Sequence, residues 1–554
     1  MRRWVLCLFF AGYALNTWGQ QPSYFYGNRE IVLSSDNETV AATLHPSVSL
    51  EKYPKVALAF RSLQSSLIRP DSSILVARRS TSQTTASAAL DTALKRKEAS
   101  LLPVYKIGEL KLVLQNEIIV QFKHEVSKES SSELLRKFSS LFVELRPDSG
   151  TFLVRVGNPE ATLRISNLLR GNSNIAFAEP NFVVIQPKER TNKRWEAPEV
   201  KVSNSGPLSA SIPSPNVPTD PLFSRQWALS NRIQDEHFGK SGSDIGILKA
   251  WQITKGSDKI RVAVLDEGVD TNHPDLKGSI ATGDDGMVEW DAILESNQQQ
   301  PAGSDSHGTL VAGIIAAQIN NGIGIVGVAP GVKIIPIRVG TRADSPDGTW
   351  TTPVIVDSAI RKAVEFRADV INVSWSIDPS KLVSDAIAYA ESAGREGKGI
   401  VVVCSAGNDG GNVVFPASLA GPNSGVPVIA VGASNSWDEV KTRASRDRED
   451  WWASNAGPAL TVVAPGVGVA TTDLNGSSNA SGGSYVFNFD GTSSAAPFVS
   501  GVAALLLSIH SGWTASQIRD KITQTAARKG TSRTDAAGWG RVDACRALEA
   551  QNCT

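Results

Sequence analysis

Cysteine is scarce in this chain, with four residues in 554, and no two of them have the spacing of a structural zinc site. The fold must therefore be held by burial and not by a disulfide framework. Histidine is nearly as rare, at six, so few imidazoles compete for any acid–base role. Net charge is absent, since Lys+Arg and Asp+Glu both number 55. A neutral chain has no global field to gather nucleic acid or an anionic membrane. No run reaches the ~20 apolar residues that a transmembrane helix needs. There is no Gly-x-x-x-x-Gly-Lys-Ser/Thr loop and no Gly-x-Gly-x-x-Gly after the first strand of the large domain, which argues against a nucleotide-binding protein. No solenoid-type repeat is visible.

What is present is an ordinary globular composition, 41% hydrophobic and 20% charged. The length calls for two or three folded units. Residues 1–19 have the order of a secretory signal: Arg2 and Arg3, the apolar stretch Trp4 to Leu15, then small residues before a cut near Gly19. Export to the outside or the periplasm follows. Cys7 leaves with this segment. Of the remaining cysteines, Cys545 and Cys553 could pair locally, and Cys404 reads as a small buried hydrophobe. Residues 20–100 are polar and Ser/Thr-rich, with apolar patches at Val56 to Phe60 and Ile74 to Val76, and their role is not legible.

Residues 101–187 predict a compact α+β unit. The reading is a strand at Glu117 to Phe122, a helix at Ser130 to Phe142, a strand at Thr151 to Val156, a helix at Glu160 to Leu169 and a strand at Ile175 to Phe182. Residues 188–219 turn charged and then Ser/Pro/Asn-rich, the composition of an exposed, cleavable linker. From 220 to 554, continuous apolar strands alternate with helical runs. That pattern predicts an α/β fold with a mostly parallel sheet, whose ligands bind at the carboxyl ends of the strands.

Four short segments carry candidate chemistry. Asp266 ends the apolar run from Arg261, with Gly268 turning the chain just beyond it. His307 opens a run of small and apolar residues that begins Gly308-Thr309. Ser493 lies at the start of a buried-looking helix, where free backbone N–H groups and the helix dipole favour a hydroxyl oxygen. Asn408 follows a strand, where its amide could donate to a developing oxyanion. Each also has an ordinary structural use: a strand-end Asp, a capping His, an N-cap Ser and a turn Asn. Spacing alone does not separate the two readings.

Together the segments resemble the catalytic domain of subtilisin-like serine proteases over roughly residues 220–553. Val264-Leu265-Asp266-Glu267-Gly268-Val269-Asp270, followed by His273-Pro274-Asp275-Leu276, is similar to the family's Asp motif. His307-Gly308-Thr309 with Val311-Ala312-Gly313 resembles its His motif. Gly491-Thr492-Ser493 with Ala495-Ala496-Pro497 resembles its Ser motif, with Ser494 where Met is usual. Ser405-Ala406-Gly407-Asn408 is similar to its oxyanion segment. The order Asp, His, Ser is that of subtilisin.

The resemblance implies a three-layer subtilisin-like domain and a serine endopeptidase with Asp266, His307 and Ser493 as triad and Asn408 as oxyanion donor. It implies an Asn372-to-Ser376 edge strand for the peptide main chain, with Ser374, Trp375, Ser376, Ala406 and Gly407 at substrate and Phe415 to Ser418 as a pocket wall. It implies structural Ca²⁺ on Asp275, Ile319, Asn321, Ile323, Ile325 and Gln226. It also makes residues 101–187 an inhibitory prodomain, with self-cleavage in the 184–219 segment. The partners are then protein or peptide substrates and the chain's own propeptide, in a monomer with no nucleic acid and no stable membrane span. Two further features depart from the family: Ser376-Ile377 stand where glycines are common, and Glu267 adds a negative charge where Ser or Thr is usual. The alternative reading is a catalytically inactive homologue that serves as a binding module.

Overall fold

The structure is a computed structural model. It describes residues 22–26, 29–36, 39–44, 74–78, 99–107, 110–139, 141–186, 217–231, 239–284, 286–341, 349–422, 426–477, 483–527, 532–549, 551 and 553. The signal segment 1–19, the apolar patch at Val56 to Phe60 and nearly all of the 188–219 linker lie outside the described residues.

The continuous apolar runs form one parallel sheet of seven strands. Across the sheet they lie in the order Trp290–Asp291, Lys333–Arg338, Arg261–Asp266, Val370–Val373, Val401–Ser405, Ile429–Ser434 and Val462–Pro465. Both faces are covered, which is why the strands lack polar alternation. Val262, Val264, Val401 and Val403 pack with helices His307–Ala316 and Thr492–Ile509 on one side. Ala263, Leu265, Ile371 and Val402 pack with helices Pro353–Glu365 and Lys381–Ala393 on the other. Thr492–Ile509 is the one helix among the described residues long and apolar enough to cross a membrane, and it is the core helix of this layer, with 89% of its residues buried. An all-round apolar helix is what a central position requires. Strand order reverses at Arg261–Asp266, whose neighbours both come later in the chain, so the crevice of this sheet opens beyond Asp266.

The preceding α+β unit differs from its sequence reading at one point. The helix expected from Ser130 to Phe142 is Lys128–Arg136, started by the Ser127 side chain accepting from the Ser130 amide at 3.2 Å. Leu141–Arg146 is a strand, paired antiparallel with Thr151–Arg155. Leu134, Leu135, Phe138 and Leu141 suit a helical period, but the Ser139 hydroxyl binds the Leu141 and Arg155 carbonyls and turns the chain into the sheet. The result is β-α-β-β-α-β, with strand order Leu141–Arg146, Thr151–Arg155, Glu117–Phe122, Ile175–Pro180, all antiparallel.

The strand Val183–Ile185 leaves this unit and joins the large domain. It pairs with Leu110–Val113 on one side and with Trp350–Thr351 on the other, inside a five-stranded sheet that also holds Val104–Ile107 and Ser34–Ser35. The hairpin Ser23–Tyr26 with Arg29–Val32 reaches the same region. The Tyr24 hydroxyl donates to Asp378 at 3.0 Å, and the Tyr26 ring stands edge-on to Phe415 at 5.8 Å. Cys545 and Cys553 form a disulfide, while Cys404 is free and buried, and burial pushes its thiol pKa up.

Candidate active site

Asp266 comes to the carboxyl end of the reversing strand, 2% exposed. His307 is the first residue of its helix, and its Nδ1 lies 2.8 and 3.0 Å from the two oxygens of Asp266. The contact assigns the proton to Nδ1 and leaves the lone pair on Nε2. Asp266 Oδ1 also accepts from the Glu267 amide at 2.8 Å, which fixes the carboxylate's plane. The Phe489 ring meets the imidazole edge to face at 5.4 Å. Gly308 is needed for this approach: a Cβ there would lie 2.2 Å from the Gly268 carbonyl oxygen and 3.0 Å from Asp266 Cβ.

Ser493 is the second residue of the core helix and is 3% exposed. Pro497, four residues on, has no N–H to return to the Ser493 carbonyl. The Ser374 hydroxyl fills that gap, donating to the Ser493 carbonyl at 2.9 Å. Ser374 Oγ in turn accepts from Asn372 Nδ2 at 2.9 Å, and Asn372 Oδ1 accepts from Ser500 at 2.8 Å. A chain of polar contacts thus ties the start of the helix to the end of strand Val370–Val373.

Asn408 turns its amide oxygen to Thr492, accepting from the backbone N and from the hydroxyl, both at 2.8 Å. Thr492 Oγ also accepts from the Gly407 amide at 3.0 Å. The orientation of the Asn408 amide is thereby set, with Oδ1 held on Thr492 and Nδ2 left as its donor end. Thr492 and Phe489 were not singled out from sequence, although both lie within four residues of Ser493.

Asp266, Glu267, His307, Ser374 and Trp375 line a cleft of about 500 Å³. Gln186 lines it too, at the end of the Val183–Ile185 strand. Its amide donates to the Thr349 carbonyl at 2.8 Å, and its side chain binds the Ser376 carbonyl. Sequence reasoning missed the Thr349-to-Thr351 side of this cleft, because a two-residue strand leaves no periodic signal. Ala406 and Gly407 have their main-chain groups bonded within the domain: Ala406 to Val431 and Val414, Gly407 to Thr492 and Asn455.

The loop expected to hold a cation is built around Asp275, which is fully buried. One of its oxygens accepts from Asn321 Nδ2 at 2.7 Å and the other from the Ile325 amide at 2.9 Å. Gln226 binds both polar groups of the Val326 backbone, at 2.8 and 2.9 Å. Asp220, not foreseen, caps the loop through the amides of Asn320 and Asn321. Burial pushes the Asp275 carboxyl up to about 6. Gly324 lets the loop close on this carboxylate, since a Cβ would stand 2.3 Å from Asp275 Oδ2. Among the described residues no cluster of three or more His, Cys, Asp or Glu side chains stands together as a metal site.

A parallel sheet whose crevice holds an aligned carboxylate and imidazole, with a serine at the start of the core helix that packs on the histidine's helix, defines a class of serine hydrolases. Comparison with known proteins gives the family. Residues 257–540 match the subtilase family model, and residues 111–181 match that of the fervidolysin N-terminal prodomain. A thermophilic serine proteinase of Bacillus sp. (strain AK1) is 33% identical over 418 residues, covering 74% of this chain and 82% of that one. A calcium-dependent protease of Nostoc sp. is 30% identical over 369 residues, covering 59% of this chain and 51% of that one. The crystal structure of fervidolysin from Fervidobacterium pennivorans, described as a keratinolytic enzyme related to subtilisin, superposes with a TM-score of 0.55 at 25% identity, covering 80% of this chain and 62% of that one. The chain belongs to the subtilase family. It is a serine-type endopeptidase that carries a prodomain ahead of its catalytic domain.

Proposed function

We propose that this endopeptidase acts through Ser493, His307 and Asp266 and is made as an exported, self-processing zymogen. The observation that carries the reading is the 2.8 Å contact between His307 Nδ1 and Asp266, at the mouth of the sheet. Ser493 Oγ attacks the peptide carbonyl while His307 Nε2 takes its proton. Asp266 keeps the Nδ1–H tautomer and stabilises the imidazolium. Asn408 Nδ2 and the Ser493 amide donate to the oxyanion. The intermediate collapses to an acyl-enzyme as the imidazolium protonates the leaving amine, and water then repeats the sequence in reverse. The Thr492 contacts support the role of Asn408, because they turn its donor end away from the helix backbone.

Residues 101–187 act as the inhibitor. Support comes from Gln186, which ends the prodomain tail inside the cleft that Asp266 and His307 line. The parts follow in the order signal 1–19, leader 20–100, prodomain 101–187, linker 188–219 with the cleavage point, and protease 220–554. Export is supported by the Arg2-Arg3 and apolar N-terminus and by the Cys545–Cys553 disulfide, a bond that persists in oxidising compartments.

Calcium suits the Asp275 loop, since the donors there are a buried carboxylate, side-chain amides and backbone carbonyls, all hard oxygen ligands. Asp275, Asn321, Gln226 and the carbonyls of Ile319, Ile323 and Ile325 would hold it. The ion would neutralise the buried carboxylate and clamp the loop. The name of the Nostoc relative agrees with this reading.

The test is reaction with a fluorophosphonate probe. Labelling of the wild type, absent in Ser493→Ala together with any conversion of the precursor, is the expected result. An unlabelled wild type, or a processed Ser493→Ala, overturns the triad or the self-processing respectively.

A further inference from the structure

Asn455 is fully buried, and the chemistry above gives it no task. It lies ahead of strand Val462–Pro465, outside the motifs around Asp266, His307 and Ser493. It nevertheless grips the peptide groups on both sides of Asn408. Its main-chain N–H donates to the Gly407 carbonyl at 2.9 Å. Its side-chain oxygen accepts from the Asp409 amide at 3.1 Å and from the Gly411 amide at 3.0 Å. Its side-chain nitrogen donates to the Asn412 carbonyl at 2.8 Å.

The turn so held is Gly407-Asn408-Asp409-Gly410-Gly411, whose glycines give it little stiffness of its own. Gly407 also makes the approach possible. Its φ is +104°, and a Cβ there would stand 2.4 Å from Asn455 Nδ2. Single backbone bridges, Asp409 with Ala453 and Asn412 with Ala456, bring the two segments side by side. The Asn455 amide ties the turn between those bridges. Thr492 sets the direction of the Asn408 side chain, whereas Asn455 sets the backbone from which it springs.

We propose that Asn455 is a positioning residue for the reaction, holding the Asn408 donor where the oxyanion develops. The proposal rests on the reading of Asn408 as that donor. A donor set in place before reaction stabilises the transition state without reorganisation. A misplacement of about 1 Å is enough to cost up to roughly a hundredfold in rate. Without the Asn455 side chain the Asp409 N–H loses its acceptor, and the turn is free to drift.

The test compares kcat per fluorophosphonate-titrated site in processed wild type, Asn455→Ala, Asn455→Ser, Asn408→Ala and the double variant Asn408→Ala/Asn455→Ala. Asn455→Ala should lower kcat by roughly tenfold and leave KM within about twofold. Asn455→Ser, which keeps a short acceptor, should lose less. In the Asn408→Ala background, Asn455→Ala should change kcat by less than about twofold, because the donor it positions is gone. The full loss appearing in that background as well overturns the proposal. So does a raised KM with kcat unchanged, or failure of both Asn455 single variants to fold. Slow Asn408→Ala beside wild-type turnover in Asn455→Ala refutes this proposal alone. Normal turnover in Asn408→Ala refutes the oxyanion reading and this proposal with it.

Discussion

Between the central sheet and its four large helices the buried side chains are aliphatic: Val262, Val264, Leu265, Ile335, Val401 and their neighbours. Where the prodomain meets helices Pro353–Glu365 and Lys381–Ala393, the buried contacts are largely ionic. Glu179 of the prodomain accepts from the Ser380 hydroxyl at 2.7 Å and from the amides of Lys381 and Leu382 at 2.8 and 3.2 Å, capping the start of a catalytic-domain helix. Arg146 pairs with Asp357 on the other helix. Under the prodomain sheet the apolar patch is small, Ile119, Leu153 and Phe177 against Leu382, and it is the tail from Phe182 to Ile185 that joins the catalytic domain's own apolar cluster. Aliphatic burial has no better alternative in water, whereas a buried ion recovers its hydration on release. The difference separates a permanent core from a contact suited to parting.

Three experiments probe that contrast. On the permanent side, Asn408→Ala should leave the enzyme folded with a melt lowered by only a few degrees, the cost of the bonds from Thr492, and should lower kcat by about a hundredfold or more, the usual cost of an oxyanion donor. Turnover near normal would remove Asn408 from that role, and a collapsed melt would make it a structural residue.

On the separable side the expected effect is a pH dependence. In the joined state burial raises the Glu179 carboxyl to about 7. Burial, with the Glu179 charge adding to it, raises Asp378 to about 8. Tyr24 donates to Asp378, while Asp385 faces Glu179 as a further negative charge. Apart, both carboxyls return toward the ordinary range near 4. The joined state therefore holds more protons between about pH 4 and pH 8, and the contact weakens as pH rises through that window, with no further loss above it. The dissociation constant of the cleaved prodomain, followed by size-exclusion chromatography, should rise roughly tenfold or more from pH 5 to pH 9. Asp378→Asn should flatten the upper half of the curve. A constant value across the range would remove the carboxyl pair from control of release.

The smallest effect concerns the Asp275 loop. A chelator should lower the melting temperature of the processed enzyme by roughly 5–10 °C, corresponding to about 3 kcal/mol of linked binding. Asp275→Asn should remove most of that response. An unchanged melt in the wild type would discard the cation.

The catalytic half was legible because its signals are local. A strand buried on both faces has to be a continuous apolar run, and the motifs around Asp266, His307 and Ser493 each sit at an element's end. The prodomain was half legible. Its Leu141–Arg146 strand was read as the end of a helix because the apolar spacing before it fits 3.6 residues per turn, and Ser139 breaks that pattern only through tertiary contacts. The long-range strand pairings were not legible at all. Ser34–Ser35 pairs with Val104–Ile107, and Val183–Ile185 with Trp350–Thr351, across separations that no local pattern reports. Asp220 and Thr349 escaped for the same reason: each acts on a distant loop or side chain, so nothing in its own neighbourhood marks it.

The strand Val183–Ile185 is hydrogen-bonded on both edges, to Leu110–Val113 and to Trp350–Thr351. A cut anywhere beyond Gln186 breaks one covalent link and leaves both ladders standing. Severing the chain and switching the enzyme on are thus separate events, and the interval between them is governed by how slowly Val183–Ile185 parts from Trp350–Thr351.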